Sequence, residues 1–210
     1  MDRKNDGRRR DLQRKPSGKV NEMAKELVRQ GGRSARIQTA VHQAVEALLE
    51  KHERTELTVP LIAEQAGVTP STVYRRWGDL SDLLADVAVR RMRPVADPED
   101  TGALSTDLET WALQFMEEMS SRVGRELLGD IFATSGEGIY PLRCCNYTYD
   151  QLGVLRERAI HRGEASFEVG EVIDRVVAPI VYHILFGDRD LTDDYCRGLV
   201  AGLPFLSKTA

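Results

Sequence analysis

Apolar residues recur along this chain at helical spacing, and the first regular stripe begins at Ser34. Ile37, Val41, Ala44, Val45, Leu48 and Leu49 line one face of an amphipathic helix that Ser34 can cap and that fades by His52. A short second helix follows, with Thr58 as cap, Pro60 in its first turn, Ile62, Ala63 and Ala66 inward, and Gly67 as its stop. Thr69 and Pro70 open a third helix, which turns Val73 and Trp77 inward and ends at Gly78. Asp79 or Ser81 caps a fourth, whose stripe is Leu83, Leu84, Val87 and Ala88 and whose end carries Arg90, Arg91, Arg93 and Pro94. A linker-like stretch over 95–104 precedes helices expected at 105–121, 123–134, 141–162, 171–187 and 192–206. No segment alternates convincingly with period two and no fixed-period repeat is present, so the expected fold class is all-α.

Charge divides the chain further. Lys and Arg exceed Asp and Glu by 6 over residues 1–33, balance them over 34–93, and fall 10 short over 94–210. Residues 1–19 are polar and read as disordered, and Met23 and Leu27 offer at most a short helix ended by Gly31 and Gly32. The expected organisation is a basic extension over 1–32, a first domain over 33–93 and a larger domain over 94–210. A basic end beside an acidic body reads either as contact with a polyanion at one end or as a solubilising tail. The longest apolar run, Val176 to Tyr182, has seven residues and contains Pro179, far short of the roughly 20 a membrane span needs. No apolar segment follows Arg8, Arg9 and Arg10, so no secretion signal is expected, and three cysteines fit a reduced, cytoplasmic protein.

The chemistry concentrates at the second and third helices. A tight Ala66-Gly67-Val68-Thr69 turn between them suits a helix-turn-helix, with Thr69, Pro70, Ser71, Thr72, Tyr74, Arg75 and Arg76 on the exposed face of the second element. Hydroxyls and helix-start N–H groups bind phosphate, and Arg pairs bidentately with guanine in a major groove. Spacing alone equally allows an ordinary helical hairpin with a solvated face. Elsewhere, Cys144 and Cys145 read as a thiol sensor, with Arg143 lowering a thiol pKa, or as small core residues. His183 reads as a pocket residue or as a satisfied core histidine, and Cys196 as packing. His42, His52 and His161 lack partners at metal-ligand spacing, so no metal or cofactor is expected. No phosphate loop or nucleophile elbow is present, and no enzyme is expected.

The stretch from Thr58 to Trp77, with Ala63-Glu64-Gln65-Ala66-Gly67-Val68 at the turn and Tyr74-Arg75-Arg76-Trp77 at its end, resembles the TetR-family DNA-binding domain. The resemblance runs from about Arg33 to Arg93 and includes the Leu83-Leu84 start of the fourth helix. It implies a regulator that binds double-stranded operator DNA through Arg33, Thr58, Thr69, Pro70, Ser71, Thr72, Tyr74, Arg75 and Arg76. It also implies a fourth helix as connector and a C-terminal helical domain that dimerises and binds a small effector. Repression is the mode it implies, with a constitutive DNA-binding protein or a thiol-responsive regulator as alternatives. The segment Arg158 to Glu164 resembles one C-terminal subgroup of the family. Many members place a phosphate-binding Lys just before the fourth helix, where this chain has Leu80, so that contact falls to Arg75, Arg76 or the tail.

Two further sites follow. The apolar Val176, Val177, Ile180, Ile184, Leu199 and Leu203 predict a homodimer closed by the last two helices as a four-helix interface. Trp111, Phe115 and Met119 predict, with Phe132, Tyr147 and Tyr182 from neighbouring helices, an aromatic-rimmed pocket for an apolar effector; the same residues also suit a closed core.

Overall fold

Side-chain caps at Thr58, Asp79, Ser121 and Thr192 start four of the ten α-helices among the described residues, which in this computed structural model are 32–134, 138–187 and 189–206. The readings of residues 1–31 lie outside them. No strand occurs among the described residues, and the fold is all-α.

The first domain is built from α1 (Arg33–Leu49), α2 (Val59–Gln65), α3 (Pro70–Trp77) and α4 (Leu80–Arg91). The Thr58 hydroxyl accepts the Leu61 N–H at 3.3 Å and starts α2. Gly67, at φ +66°, lets the Val68 N–H reach back to the Ala63 carbonyl at 2.9 Å and its own N–H to Glu64 at 3.1 Å. This doubly closed end fixes the turn, and Val68 packs beside the core. Asp79, rather than Ser81, caps α4, accepting the Asp82 N–H at 2.8 Å. A short 3-10 turn at Arg54–Glu56, absent from the periodicity reading, joins α1 to α2. Val41, Val45, Ile62, Val73, Trp77 and Leu83 close one core. Leu80, at the first turn of α4, packs against it.

The second domain contains α5 (Leu104–Ser120), α6 (Arg122–Phe132), α7 (Ile139–His161), α8 (Val169–Val172), α9 (Ala178–Phe186) and α10 (Asp193–Ala201). Its core joins Leu108, Trp111, Leu152, Leu155, Val176 and Ile180. The close approach of α6 to the end of α5 requires Gly124, because a Cβ there would lie 2.1 Å from the Glu118 carbonyl oxygen. The segment read as one helix over 171–187 is instead α8, a π turn at Ile173–Val177 and α9. Pro179 has no N–H to give the Arg175 carbonyl, and the wider turn accommodates the missing bond. The last helix stops at Ala201 rather than 206, where Gly202 and Pro204 break it into turns.

The Arg158–Glu164 segment explains how the linker is held. Arg158 donates to the Pro98 carbonyl at 2.7 Å, Arg162 to Asp100 at 2.8 Å and to Asp107 at 2.6 Å, and the Leu104 N–H donates to Glu164 at 2.7 Å. Burial alone would raise the Asp107 carboxyl, yet Arg162 and Thr101 hold it below the usual carboxylate range.

Candidate nucleic-acid interface and effector cavity

At the start of α3 the Thr69 hydroxyl lies 3.0 Å from that of Ser71 and 2.9 Å from that of Thr72. Thr69 occupies the cap position, but its side chain joins this hydroxyl cluster instead of bonding a backbone N–H. Thr58, Thr69, Pro70, Ser71, Tyr74 and Arg75 are exposed, and Thr72 is half-buried. Arg33 opens α1, and the reading of its side chain lies outside the described residues.

Arg76 departs from the expected set. It donates to the Ser34 hydroxyl at 2.6 Å, the Ser34 carbonyl at 3.2 Å and the Gln38 side-chain oxygen at 2.8 Å, and its guanidinium lies 5.2 Å from the Trp77 ring centre. It braces α3 against the start of α1, because one helical step beyond Arg75 points inward instead of outward. Tyr74 and Arg75 remain exposed on the outer face of α3.

Behind this face lies a buried carboxylate that periodicity treats as an ordinary α4 position. Asp86 Oδ2 accepts from His42 Nε2 at 2.9 Å, Trp77 Nε1 at 3.0 Å and Gln38 Nε2 at 3.0 Å, while Oδ1 accepts from Arg143 at 2.8 Å. Arg90 lies 3.4 Å from His42 Nδ1, an arrangement that fits His42 donating through Nε2 and accepting at Nδ1. Burial pushes the Asp86 carboxyl upward, but His42, Trp77 and Arg143 together hold it far below the usual range. The sequence signal was available: a lone acid inside Leu83-Leu84-Ala85-Asp86-Val87-Ala88-Val89.

A cavity of about 440 Å³ lies between the end of α4, the linker, α5, α6 and α7. Trp111, Phe115, Met119 and Tyr147 line it, joined by Met92, Leu127, Gln114, Glu118, Thr148 and Gln151. The Trp111 and Phe115 rings stack with centres 5.5 Å apart, and the Trp111 indole N–H donates to Gln151 at 2.9 Å. Phe132 and Tyr182, by contrast, are exposed on the outer surface and do not line it. His183 sits between the rings of Tyr182 and Tyr195, at 5.4 and 5.5 Å, outside the cavity.

Arg143 is turned toward Asp86, so its predicted effect on a thiol gives way to the opposite: burial, then Cys145, pushes the Cys144 thiol up to about 11. Burial likewise pushes Cys196 up to about 11. A thiol held protonated is a poor nucleophile and a poor sensor. Among the described residues no group of three or more His, Cys, Asp or Glu is arranged to hold a metal ion. Nor is any helix there long and apolar enough to cross a membrane.

The expected dimer residues also move. Val176, Ile180, Ile184 and Leu203 are buried in the core of their own subunit, while Val177 and Leu199 are half-buried against it. What α9 presents outward is Tyr182, Leu185 and Phe186, the last 68% exposed.

Comparison with known proteins places this architecture. The family model "Bacterial regulatory proteins, tetR family" matches residues 43–87, and "Tetracyclin repressor-like, C-terminal domain" matches residues 98–203, half of the chain. The chain belongs to the TetR family. The HTH-type transcriptional regulator YdeS of Bacillus subtilis is 29% identical over 164 residues, covering 75% of this chain and 82% of that protein. Among solved structures, the TetR-family regulator SCO0332 matches with a TM-score of 0.58 at 21% identity, covering 80% of this chain and 96% of that one. A TetR regulator from Agrobacterium tumefaciens gives 0.53 at 20% identity, covering 82% and 93%. TetR-family proteins are DNA-binding transcriptional regulators, not enzymes; they bind operator DNA and act as dimers.

Proposed function

We propose that this TetR-family protein is a repressor released from its operator by a small, largely apolar molecule bound in the second domain. The supporting observation is the 440 Å³ cavity, which falls within the usual size of small-molecule sites. Its wall combines the stacked Trp111–Phe115 pair and Met119 with a few polar groups, Gln114, Gln151 and Thr148, suited to orienting an aromatic guest. Arg91 and Met92, at the end of the connector α4, form part of the same wall. A molecule entering there presses directly on the helix that carries the DNA-binding domain. It shifts the equilibrium only if it prefers the conformation that fits the operator poorly.

The exposed Tyr182, Leu185 and Phe186 support a dimer interface on the outer faces of α9 and α10, the two helices expected but on the opposite side of each. On α10, Gly198 and Ala201 are exposed and small, which favours close helix approach. Two recognition helices then meet half-sites about one turn of DNA apart.

Genomic footprinting of the purified protein supplies the operator, and a small-molecule panel is then titrated against operator binding. The expected result is an aromatic compound that releases DNA and whose own affinity falls by the same factor when DNA is bound. Loss of its binding in Trp111→Ala, with the fold intact, ties the effect to this cavity. A panel in which no compound changes operator affinity overturns the reading.

A further inference from the structure

We propose that Arg143, on the cavity-lining helix α7, is a positioning residue for the recognition helix, acting through Asp86. The inference rests on the reading of the cavity as an effector site and names how that site reaches α3. Residues 144, 147, 148 and 151 of α7 line the cavity, and Arg143 leaves the same helix to pair with α4. Asp86 lies five residues before Arg91, the last residue of α4, which together with Met92 stands in the cavity wall.

The geometry at Asp86 is unequal in a telling way. Its Oδ2 collects three donors from within the DNA-binding domain: Gln38 and His42 of α1 and Trp77, the last residue of α3. Its Oδ1 accepts Arg143, which comes from the other domain. Gln38 in turn holds Arg76, and Arg76 holds Ser34. One continuous polar chain therefore runs from Arg143, next in sequence to the cavity-lining Cys144, through Asp86 to the contacts between α1 and the end of α3. A guest that parts α7 from α4 acts first on the 2.8 Å Arg143–Asp86 contact, because the Oδ2 donors all move with the first domain. A second interdomain ion pair, Arg54 of the 3-10 turn with Asp130 of α6, joins the domains at a different place. With that clasp kept, loss of the first permits a tilt of the DNA-binding domain instead of its separation.

The chain contains two tryptophans, and they mark the two ends of this route. Trp111 donates its indole N–H in the cavity wall, and Trp77 donates its own to Asp86. Their two indole N–H resonances in a nitrogen-15-labelled protein report each end separately. Thr148→Phe, which adds a ring at the cavity wall, serves as a built-in guest. In the native background it is expected to move both resonances and to weaken operator binding by about tenfold, an ordinary allosteric coupling. In Arg143→Gln it is expected to move the Trp111 resonance alone and to leave operator affinity at the level of Arg143→Gln itself. Arg143→Lys, which keeps the charge, is expected to restore the Trp77 response in part.

If Thr148→Phe moves the Trp77 resonance equally with and without Arg143, the route does not pass through this residue and the proposal fails, while the effector reading stands. The proposal also fails if Trp111 moves and Trp77 stays fixed in the native background. If both resonances move as expected but operator affinity never changes, the relay stands and the effector reading fails. Circular dichroism and sedimentation of each variant separate these outcomes from unfolding.

Discussion

The two domains use apolar residues in opposite ways. In the first, most large apolar side chains of α1–α4 turn into one core while Tyr74 stays exposed. A hollow of about 430 Å³ between α1 and α2 is lined largely by the polar Lys51, His52, Glu64 and Gln65, and even the buried carboxylate is held by four donors. In the second, the core is accompanied by a 440 Å³ cavity beneath Trp111 and by an outer stripe of Tyr182, Leu185 and Phe186. A reader of DNA needs side chains held to fractions of an ångström, so its apolar side chains are spent on bracing its own helices. The effector and dimer roles proposed for the second domain need apolar surface that its own fold leaves unused.

The sharpest way to break this contrast is to place one charge on each side of the second domain's apolar helices. Leu203→Asp buries an unpaired carboxylate in the core and is expected to cost about 4–5 kcal/mol, read as loss of the cooperative thermal transition. Leu185→Asp, on the exposed stripe, is expected to leave the subunit folded and shift sedimentation from dimer to monomer, with operator affinity falling alongside. A Leu185→Asp protein that remains dimeric removes this face as the interface.

Gly124→Ala tests how tightly α6 closes on the end of α5 at the edge of the cavity. The added methyl meets the Glu118 and Met119 backbone, and the expected destabilisation is about 1–3 kcal/mol in urea unfolding. Within the first domain the neighbouring arginines divide the work. Arg75→Ala is expected to lose about 1–3 kcal/mol of discrimination at one base position per half-site with unchanged stability. Arg76→Ala is expected to lower stability by about 1–2 kcal/mol and weaken all sequences alike, since it unties α3 from α1.

Asp86 gives the same contrast a pH dependence. Its native carboxyl lies well below the ordinary value of about 3.9, so its stabilisation is complete above that value and is lost as pH falls through the native one. Acid titration of the native chain is expected to show a steeper loss of stability below about pH 4 than Asp86→Asn, because the Asn variant has no such proton to take up. Equal slopes exclude Asp86 as a stabilising anion. The smallest effect is expected from removing residues 1–30: the excess of Lys and Arg there adds backbone contacts, so the truncation lowers the slope of log affinity against log salt without changing sequence preference.

The start and stop of α2, α3 and α4 were legible in the chain because caps and turns depend on residues within four positions: Thr58, Gly67, Thr69-Pro70, Gly78 and Asp79. The exposed face of α3 was legible for the same reason, since a helical hairpin leaves few directions for Tyr74 and Arg75 to point. Which side of α9 is covered was not legible. Val176, Ile180 and Ile184 are as apolar as Tyr182, Leu185 and Phe186, and periodicity in a helix apolar all round names no inner face. Only packing against α5, distant in sequence, decides which stripe is buried. Arg76 and Arg143 belong to the same class: each looked like a free cation, and each is claimed by an acceptor more than 35 positions away, 42 for Ser34 and 57 for Asp86. Long side chains reach across elements, so their partners are set by how helices cross in space and not by spacing along the chain.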